Sequence, residues 1–208
     1  MRCNERMPAR GLYYTGYMSL SDAERWNARY QEDVRFVSYL QPRPFLVENA
    51  HWLPAQGVAL DVAMGLGGNA AFLMERGLRV VGIDISSVAV LQAKRRMPGL
   101  MAVIADLTRT YLPEAKFDVI LNFFYLHREL WPDYRRALRP GGLLVLETLT
   151  KEMLSVNPEI DPQYLLDSGE LEAAFRDWQI LVSREDWVAI DTPHPRAVAS
   201  LVARRPIE

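Results

Sequence analysis

The sequence predicts an α/β protein whose mostly parallel sheet is covered by helices on both faces and finished by an antiparallel hairpin. Three observations carry this. Four short apolar runs, residues 58–62, 79–85, 100–106 and 116–122, alternate with helix-forming stretches, which is the rhythm of repeated strand–helix units. Three of them close on Asp84, Asp106 and Asn122, and the first carries Asp61 next to its last residue. After residue 178 the pattern changes to two strand-like runs, 179–190 and 197–203, joined by the turn-rich Asp191-Thr-Pro-His-Pro195. With a fifth strand at 143–148, introduced by Gly141-Gly142, this gives a seven-stranded, Rossmann-like, doubly wound sheet with one reversed strand.

The elements follow in order. Residues 1–20, rich in Arg, Gly and Tyr, are expected to be a flexible terminus, leaving residues 21–208 as one domain. Ser21 with Glu24 is a helix start of the capping-box kind. It leads into a helix at 26–40, and residues 21–45 form an N-terminal lid segment. Pro42 and Pro44 are expected to break the chain before the sheet. Gly65, Gly67 and Gly68 then occupy a sharp corner between the first strand and a helix at 69–76. Ser86 caps a helix running to Arg96, and further helices are expected at 129–138 and 171–178. Arg135, Arg136 and Arg139 would sit at the C-terminal end of the former, offsetting its dipole.

Composition narrows the function. The chain has 208 residues, half of them hydrophobic, and a formal net charge of −2, so a dedicated nucleic-acid binder with its basic face is not expected. No apolar run is long enough to span a bilayer, and the first twenty residues lack a signal-peptide core. A cytoplasmic protein, monomer or homodimer, is expected, with Met1, Met7 and Met18 all open as the natural start. The single Cys3 forms neither an intrachain disulfide nor a cysteine metal site. His51, His127 and His194 have no ligand-like spacing, so no metal is expected.

Strand, glycine corner, helix, then an acid at the end of the next strand is the layout of a nucleotide-type cofactor site. Gly65-x-Gly67-x-x-Ala70 also satisfies a dinucleotide fingerprint, which keeps an NAD-dependent oxidoreductase as an alternative. Asp61 weighs against it, because a carboxylate four residues before the first glycine would repel a pyrophosphate. S-adenosylmethionine has no phosphate and carries an ammonium and a sulfonium, so Asp61 would attract it. On this reading Asp84 receives the ribose hydroxyls, and Asp106, with Leu107 beside it, meets the adenine amine. Asn122 closes the same crevice beyond the carboxyl ends of the strands. Each of these alone reads more often as a turn residue or helix cap; four in register favour a site.

The segments 59–70, Val81-Gly-Ile-Asp-Ile-Ser86, Phe117-Asp-Val-Ile120 and 138–144 resemble the class I S-adenosylmethionine-dependent methyltransferases. More narrowly, Asn69-Ala-Ala-Phe-Leu73, Tyr125-Leu-His-Arg128 and Trp26-Asn-Ala-Arg-Tyr30 resemble small bacterial enzymes of the tellurite-resistance or thiopurine-like type. The resemblance covers residues 22–204 and departs from the family at Met64 and Gly68, where relatives commonly carry Cys and Arg. It implies cofactor contacts at Ala63, Gly65, Gly67, Asn69 and Ile85 besides the four strand-end residues and Leu107. It also implies that Trp26, Arg29 and Tyr30 close over the methionine end, Arg29 reaching its carboxylate.

Methyl transfer from a sulfonium is an in-line displacement, so the enzyme mainly positions the acceptor and excludes water; a general base is optional. The acceptor pocket is expected just after the fourth strand, with Tyr125, His127 and Arg128 as catalytic candidates. The competing reading has His127 capping the next helix, Arg128 paired with Glu129 or another acid, and Trp26 and Tyr30 as a packing stripe. The expected function is methylation of a small molecule, either a metalloid oxyanion such as tellurite or selenite or a thiol. The alternatives are the oxidoreductase and a non-catalytic S-adenosylmethionine-binding module.

Overall fold

The structure, a computed structural model, describes residues 22–32, 40–189 and 195–207. Expectations for residues 1–20, Cys3, the far end of the first helix and His194 lie outside them.

Seven strands form one sheet: β1 (Gly57–Val62), β2 (Leu78–Asp84), β3 (Met101–Ile104), β4 (Phe117–Phe123), β5 (Leu138–Leu149), β6 (Gln179–Val188) and β7 (Arg196–Arg204). Their order is β3-β2-β1-β4-β5-β7-β6. The first five run parallel, and β7 is antiparallel to both β5 and β6. The chain reverses direction between β3 and β4, so crossovers leave β1 toward β2 on one side and reach β4 on the other. Ligands of open α/β sheets bind at such a switch point.

Alternating residues divide the core. Leu60, Ile120, Leu144 and Leu201 face Tyr134 and Ala137 of α5 (Trp131–Ala137) and Leu171 of α6 (Glu170–Ala174). Ala59, Val119, Val145 and Val202 face Phe45 of α2 (Pro44–Glu48), Leu73 of α3 (Gly68–Glu75) and Val90 of α4 (Ser87–Arg96). Each large side chain fully buried in these layers contributes roughly 1.5–3 kcal/mol. α1 (Asp22–Glu32) lies outside both layers against α4.

Several elements differ from expectation. Pro44 starts a short helix instead of breaking the chain, since proline's missing N–H costs nothing in a first turn. The helix expected at 129–138 is a 3-10 turn, Arg128–Leu130, followed by α5, and Leu138 already belongs to β5. Pro140 contributes, because it holds Arg139 extended and helices usually end at or before the residue preceding a proline. Leu138 pairs with Phe117, and the register resumes at Leu143 opposite Val119. Arg139 therefore lies on a strand, 2.7 Å from Asp118, while Arg135 pairs with Asp177 and Arg136 with Asp133. α6 ends at Ala174, and the buried Phe175 and Trp178 follow it into the core. The third strand ends at Ile104, short of the expected Asp106.

Candidate active site

β1 leads into a tight corner. Ala63 and Gly65 have φ of 50° and 53°, and Gly67 has φ of 77° before α3 begins at Gly68. The Met64 N–H donates to the Ile83 carbonyl and the Gly67 N–H to the Met64 carbonyl, which stitches the corner to β2. Positive φ is what favours glycine at Gly65 and Gly67, and the space beside each is tight as well. A Cβ on Gly65 would lie 2.7 Å from Tyr30 Oη, and one on Gly67 would lie 2.8 Å from Met97 Cε. Met64 is buried over Gly82, where a Cβ would collide with its sulfur.

Asp84 braces this corner. Its Oδ2 accepts the Gly65 N–H and its Oδ1 the Ser86 N–H, each at 2.8 Å. Burial raises its pKa while these backbone hydrogen bonds pull it back. Ile85, half-buried, follows it at the crevice.

Asp61 is 1% exposed and its Oδ2 has no hydrogen-bond partner. Burial, then the neighbouring Asp84, push its carboxyl up to about 7; a hydrogen bond from the Ala70 backbone and the charge of Arg43 act the other way. A buried acceptor left unsatisfied costs on the order of 1–3 kcal/mol. A ligand ammonium supplies both the missing donor and the missing charge. On the adjacent strand, Asn122 donates from Nδ2 to Tyr134 Oη at 2.9 Å, and its buried Oδ1 also lacks a partner. Val62 pairs with Asn122 across β1 and β4, so both orphaned acceptors sit at neighbouring strand ends.

Asp106 is turned to its own loop. Its Oδ1 accepts from the backbone and hydroxyl of Thr108, which holds its carboxyl below the usual range. The Ala105 N–H donates to the Asp84 carbonyl, keeping Asp106 close to the end of β2, while Leu107 is buried in the core. Asn69 accepts the Arg43 N–H at 2.9 Å and so ties the start of α2 to the start of α3.

α1 crosses the corner. Trp26 and Tyr30 stack with centroids 5.8 Å apart, and Tyr30 packs against the buried Leu66 and Ala89. Arg29 lies over the Trp26 ring at 5.3 Å. The docking residue is Asn27, which the sequence analysis missed. Its Oδ1 accepts from the Ser86 hydroxyl at 2.8 Å and the Val88 N–H at 3.1 Å, covering the N-terminus of α4. Its place three residues before Tyr30, on the same helix face, was the available signal.

After β4, the Tyr125 and His127 rings are 6.3 Å apart, and His127 Nδ1 is 3.2 Å from Glu129 Oε2. Arg128 is committed to protein partners: it grips both oxygens of Glu170 and donates to the carbonyls of Gln163 and Leu165. Arg128 thus pairs with a distant acid, as the competing reading of the sequence allowed. Instead, Arg43 and Arg196 reach this region, their guanidinium carbons 4.8 and 5.2 Å from the centre of the Phe124 ring. Neither was singled out from the sequence, because nothing local marks two residues 153 positions apart as neighbours.

Residues 59–142 match the family described as "Methyltransferase domain". Residues 59–142 carry a methyltransferase domain of the class I S-adenosylmethionine-dependent type. The chain is similar to a demethylmenaquinone methyltransferase of Beutenbergia cavernae, 38% identical over 93 residues, 42% of this chain and 38% of that protein. It is also similar to a trans-aconitate 2-methyltransferase of Azoarcus sp., 35% identical over 95 residues, 42% of this chain and 37% of that protein. The chain thus covers less than half the length of these relatives. In fold it is similar to TehB from Haemophilus influenzae, with a TM-score of 0.68, 16% identity and coverage of 78% of this chain and 62% of that one. In this methyltransferase domain the ends of β1, β2 and β4, with α1 above, form the crevice. The residues present fit S-adenosylmethionine, the cofactor of this class, because Asp61 Oδ2 lacks a donor that its ammonium would supply. The same carboxylate disfavours the pyrophosphate of the nicotinamide alternative. Among the described residues no helix is long and apolar enough to cross a membrane, and no His, Cys, Asp and Glu group is arranged to hold a metal ion.

Proposed function

We propose that this protein transfers the methyl group of S-adenosylmethionine to a small-molecule acceptor, a metalloid oxyanion such as tellurite or selenite, or a thiol. The observation that carries the reading is the buried Asp61 carboxylate with an unpartnered oxygen at the glycine corner. When bound, S-adenosylmethionine supplies a methyl group already activated on a sulfonium. Asp61 would hold its ammonium and Asp84 its ribose, using acceptor capacity left beside Gly65 and Ser86. Ala63, Gly65 and Gly67 would let it approach the backbone, and Ile85 and Leu107 would line its base. Asn69 would fix the start of α3, and Asn122 Oδ1 would accept a hydrogen bond at the end of β4. Asp106 would meet the adenine amine.

α1 is the cover, with Trp26, Arg29 and Tyr30 excluding water from the methionine end. Tyr125 and His127 stand where the acceptor enters, and His127 can take a proton from a thiol acceptor; an oxyanion attacks without one. Arg128, through Glu170, would position this loop. The acceptor reading is supported by the likeness in fold to TehB and by relatives named for small-molecule acceptors.

The test is transfer of an isotopically labelled methyl group to selenite, tellurite, small thiols and carboxylates, with products identified by mass. Labelled methylselenium, methyltellurium or thioether is expected. Cofactor binding without any labelled product would leave the non-catalytic binding module as the better reading.

A further inference from the structure

The two edges of the sheet are finished differently. β6, at one edge, carries Arg184, Glu185 and Asp186 in mid-strand, the charged kind of edge that resists pairing with another chain. β3, at the other, reads Met101-Ala-Val-Ile104 and carries no charge. No helix lies between β3 and β4, so the layer of α5 and α6 does not extend over Met101 and Val103, which stand in register with Val81 and Ile83 of β2. Leu91 lies three residues before Lys94 on α4, on the side that reaches the start of β3. Met101, Val103, Ile104 and Leu91 are between 41% and 53% exposed, which gathers an apolar strip along this edge.

The backbone of β3 is open in a specific pattern. In a parallel ladder, successive residues turn their N–H and C=O groups to alternate sides. The Ala105 N–H donates to the Asp84 carbonyl, so the odd positions bond to β2, and Leu100, Ala102 and Ile104 face outward. Leu100 is already satisfied, its N–H by the Met97 carbonyl and its C=O by Lys94 Nζ at 2.6 Å. Ala102 and Ile104 have no outward partner among the described residues.

A second β3 laid antiparallel about a two-fold axis at Val103 sets Ala102 opposite Ile104 of the other copy and satisfies every one of these groups. An axis at Ala102 would set Ile104 against Leu100, whose groups are taken. One at Ile104 would set Ala102 against Asp106, whose C=O already accepts from Arg109 and Thr110. With the axis at Val103, each Leu100 falls opposite Asp106 of the other copy. Lys94 spends two of its three donors on the Pro98 and Leu100 carbonyls, and Asp106 Oδ2 lies 3.8 Å from Arg109, too far for a hydrogen bond. A cation of one copy therefore meets an acid of the other at both ends of the contact.

We propose that β3 is a homodimer interface: two copies of this chain join edge to edge, antiparallel about Val103, into one continuous sheet, with Lys94 of each facing Asp106 of the other. The contact braces the loop after β3 and is independent of which acceptor is methylated.

The test is sedimentation velocity of the full chain over a concentration series, with Val103→Cys under diamide as the check of register. Wild-type protein is expected to be a dimer. Val103→Asp, which sets two carboxylates against each other at the axis, should weaken the dimer at least tenfold while leaving S-adenosylhomocysteine affinity within twofold. The non-hydrogen-bonded pair at the axis brings the two Cα atoms to about 4.5 Å, within reach of a disulfide, so Val103→Cys should link copy to copy through residue 103. Ile104→Cys, which faces Ala102, should not link. A monomer at every concentration overturns the proposal, as does a dimer that Val103→Asp leaves intact. A bridge from the Val103→Cys thiol to Cys3 of the same chain overturns it too, by giving the edge to the N-terminal segment. Should Val103→Asp fail to fold, the cross-link decides, and its absence from a dimeric protein overturns the register.

Discussion

Asp84 holds the Gly65 amide: its Oδ2 accepts that N–H at 2.8 Å, and its Oδ1 accepts the Ser86 N–H at the same distance. The acid at the end of β2 therefore shapes the glycine corner before it meets any ligand. Asp84→Ala leaves two buried backbone donors without their acceptor, each costing roughly 1–3 kcal/mol. S-adenosylhomocysteine affinity should fall about tenfold or more, and the melting temperature should fall with it. Unchanged affinity would move the ribose away from Asp84.

Asp61 makes ligand-free stability depend on pH. Its carboxyl rises from 3.8 to about 7 through burial first. Between those values the folded state holds a proton that the unfolded chain has released, so stability falls as pH rises through that window. Asp84 and Glu147, also raised by burial, act with the same sign. Asp61→Asn should flatten the slope and stabilise ligand-free protein above that window by roughly 3–5 kcal/mol, read from denaturant midpoints at several pH values. A slope unaltered by the substitution would deny Asp61 its raised pKa.

The same carboxylate should make cofactor affinity rise with pH. Pairing with an ammonium favours the ionised form, so binding between about pH 5.5 and 7 should release a proton, below the range in which an α-amino group loses its own charge. Calorimetry in buffers of different ionisation enthalpy measures that proton. Asp61→Asn should release none; equal release by both proteins would assign it elsewhere.

Asn27→Ala should free α1 without unfolding the domain. It removes the acceptor for the Ser86 hydroxyl and the Val88 N–H, a loss of about 1–2 kcal/mol confined to one contact. Amide exchange in α1 should rise and cofactor affinity fall several-fold, with the melting temperature shifted by only a few degrees. Exchange in α1 that matches the wild type would show that Trp26 and Tyr30 alone hold the helix.

Arg128→Gln tests whether that arginine is structural. Its partners, Glu170 and the carbonyls of Gln163 and Leu165, tie the loop after β4 to the segment before α6. The side chain is 36% exposed, so solvent screening limits the loss to roughly 1–2 kcal/mol, or about 2–8 °C in melting temperature. Glu170→Gln should cost a similar amount, and the double variant less than the sum. Additive losses would mean that the pair does not couple.

Much of the frame was legible in the sequence because strands, corners and caps are local. Residues 58–62 read as a strand from their apolar run, Gly65 and Gly67 as a corner from their conformational freedom, and Ser86 as a cap that does accept the Ala89 N–H. Where proline intervened, local reading failed in both directions: Pro44 opens a helix and Pro140 extends a strand. Arg139 shows the consequence, since one residue's change of element moved it from a helix dipole to an ion pair with Asp118.

The sequence by itself determined the succession of strands, the glycine corner and the placing of Asp61, Asp84 and Asn122 near strand ends, because periodicity and turn chemistry act over a few residues. Only the tertiary structure decided what each side chain does there. Asp61 acquires its raised pKa from burial by distant segments, Arg128 is claimed by Glu170, and Asn27 is matched to α4. Arg43 and Arg196 meet on Phe124 for the same reason: such partnerships depend on how the sheet brings remote positions together, and no spacing along the chain encodes them.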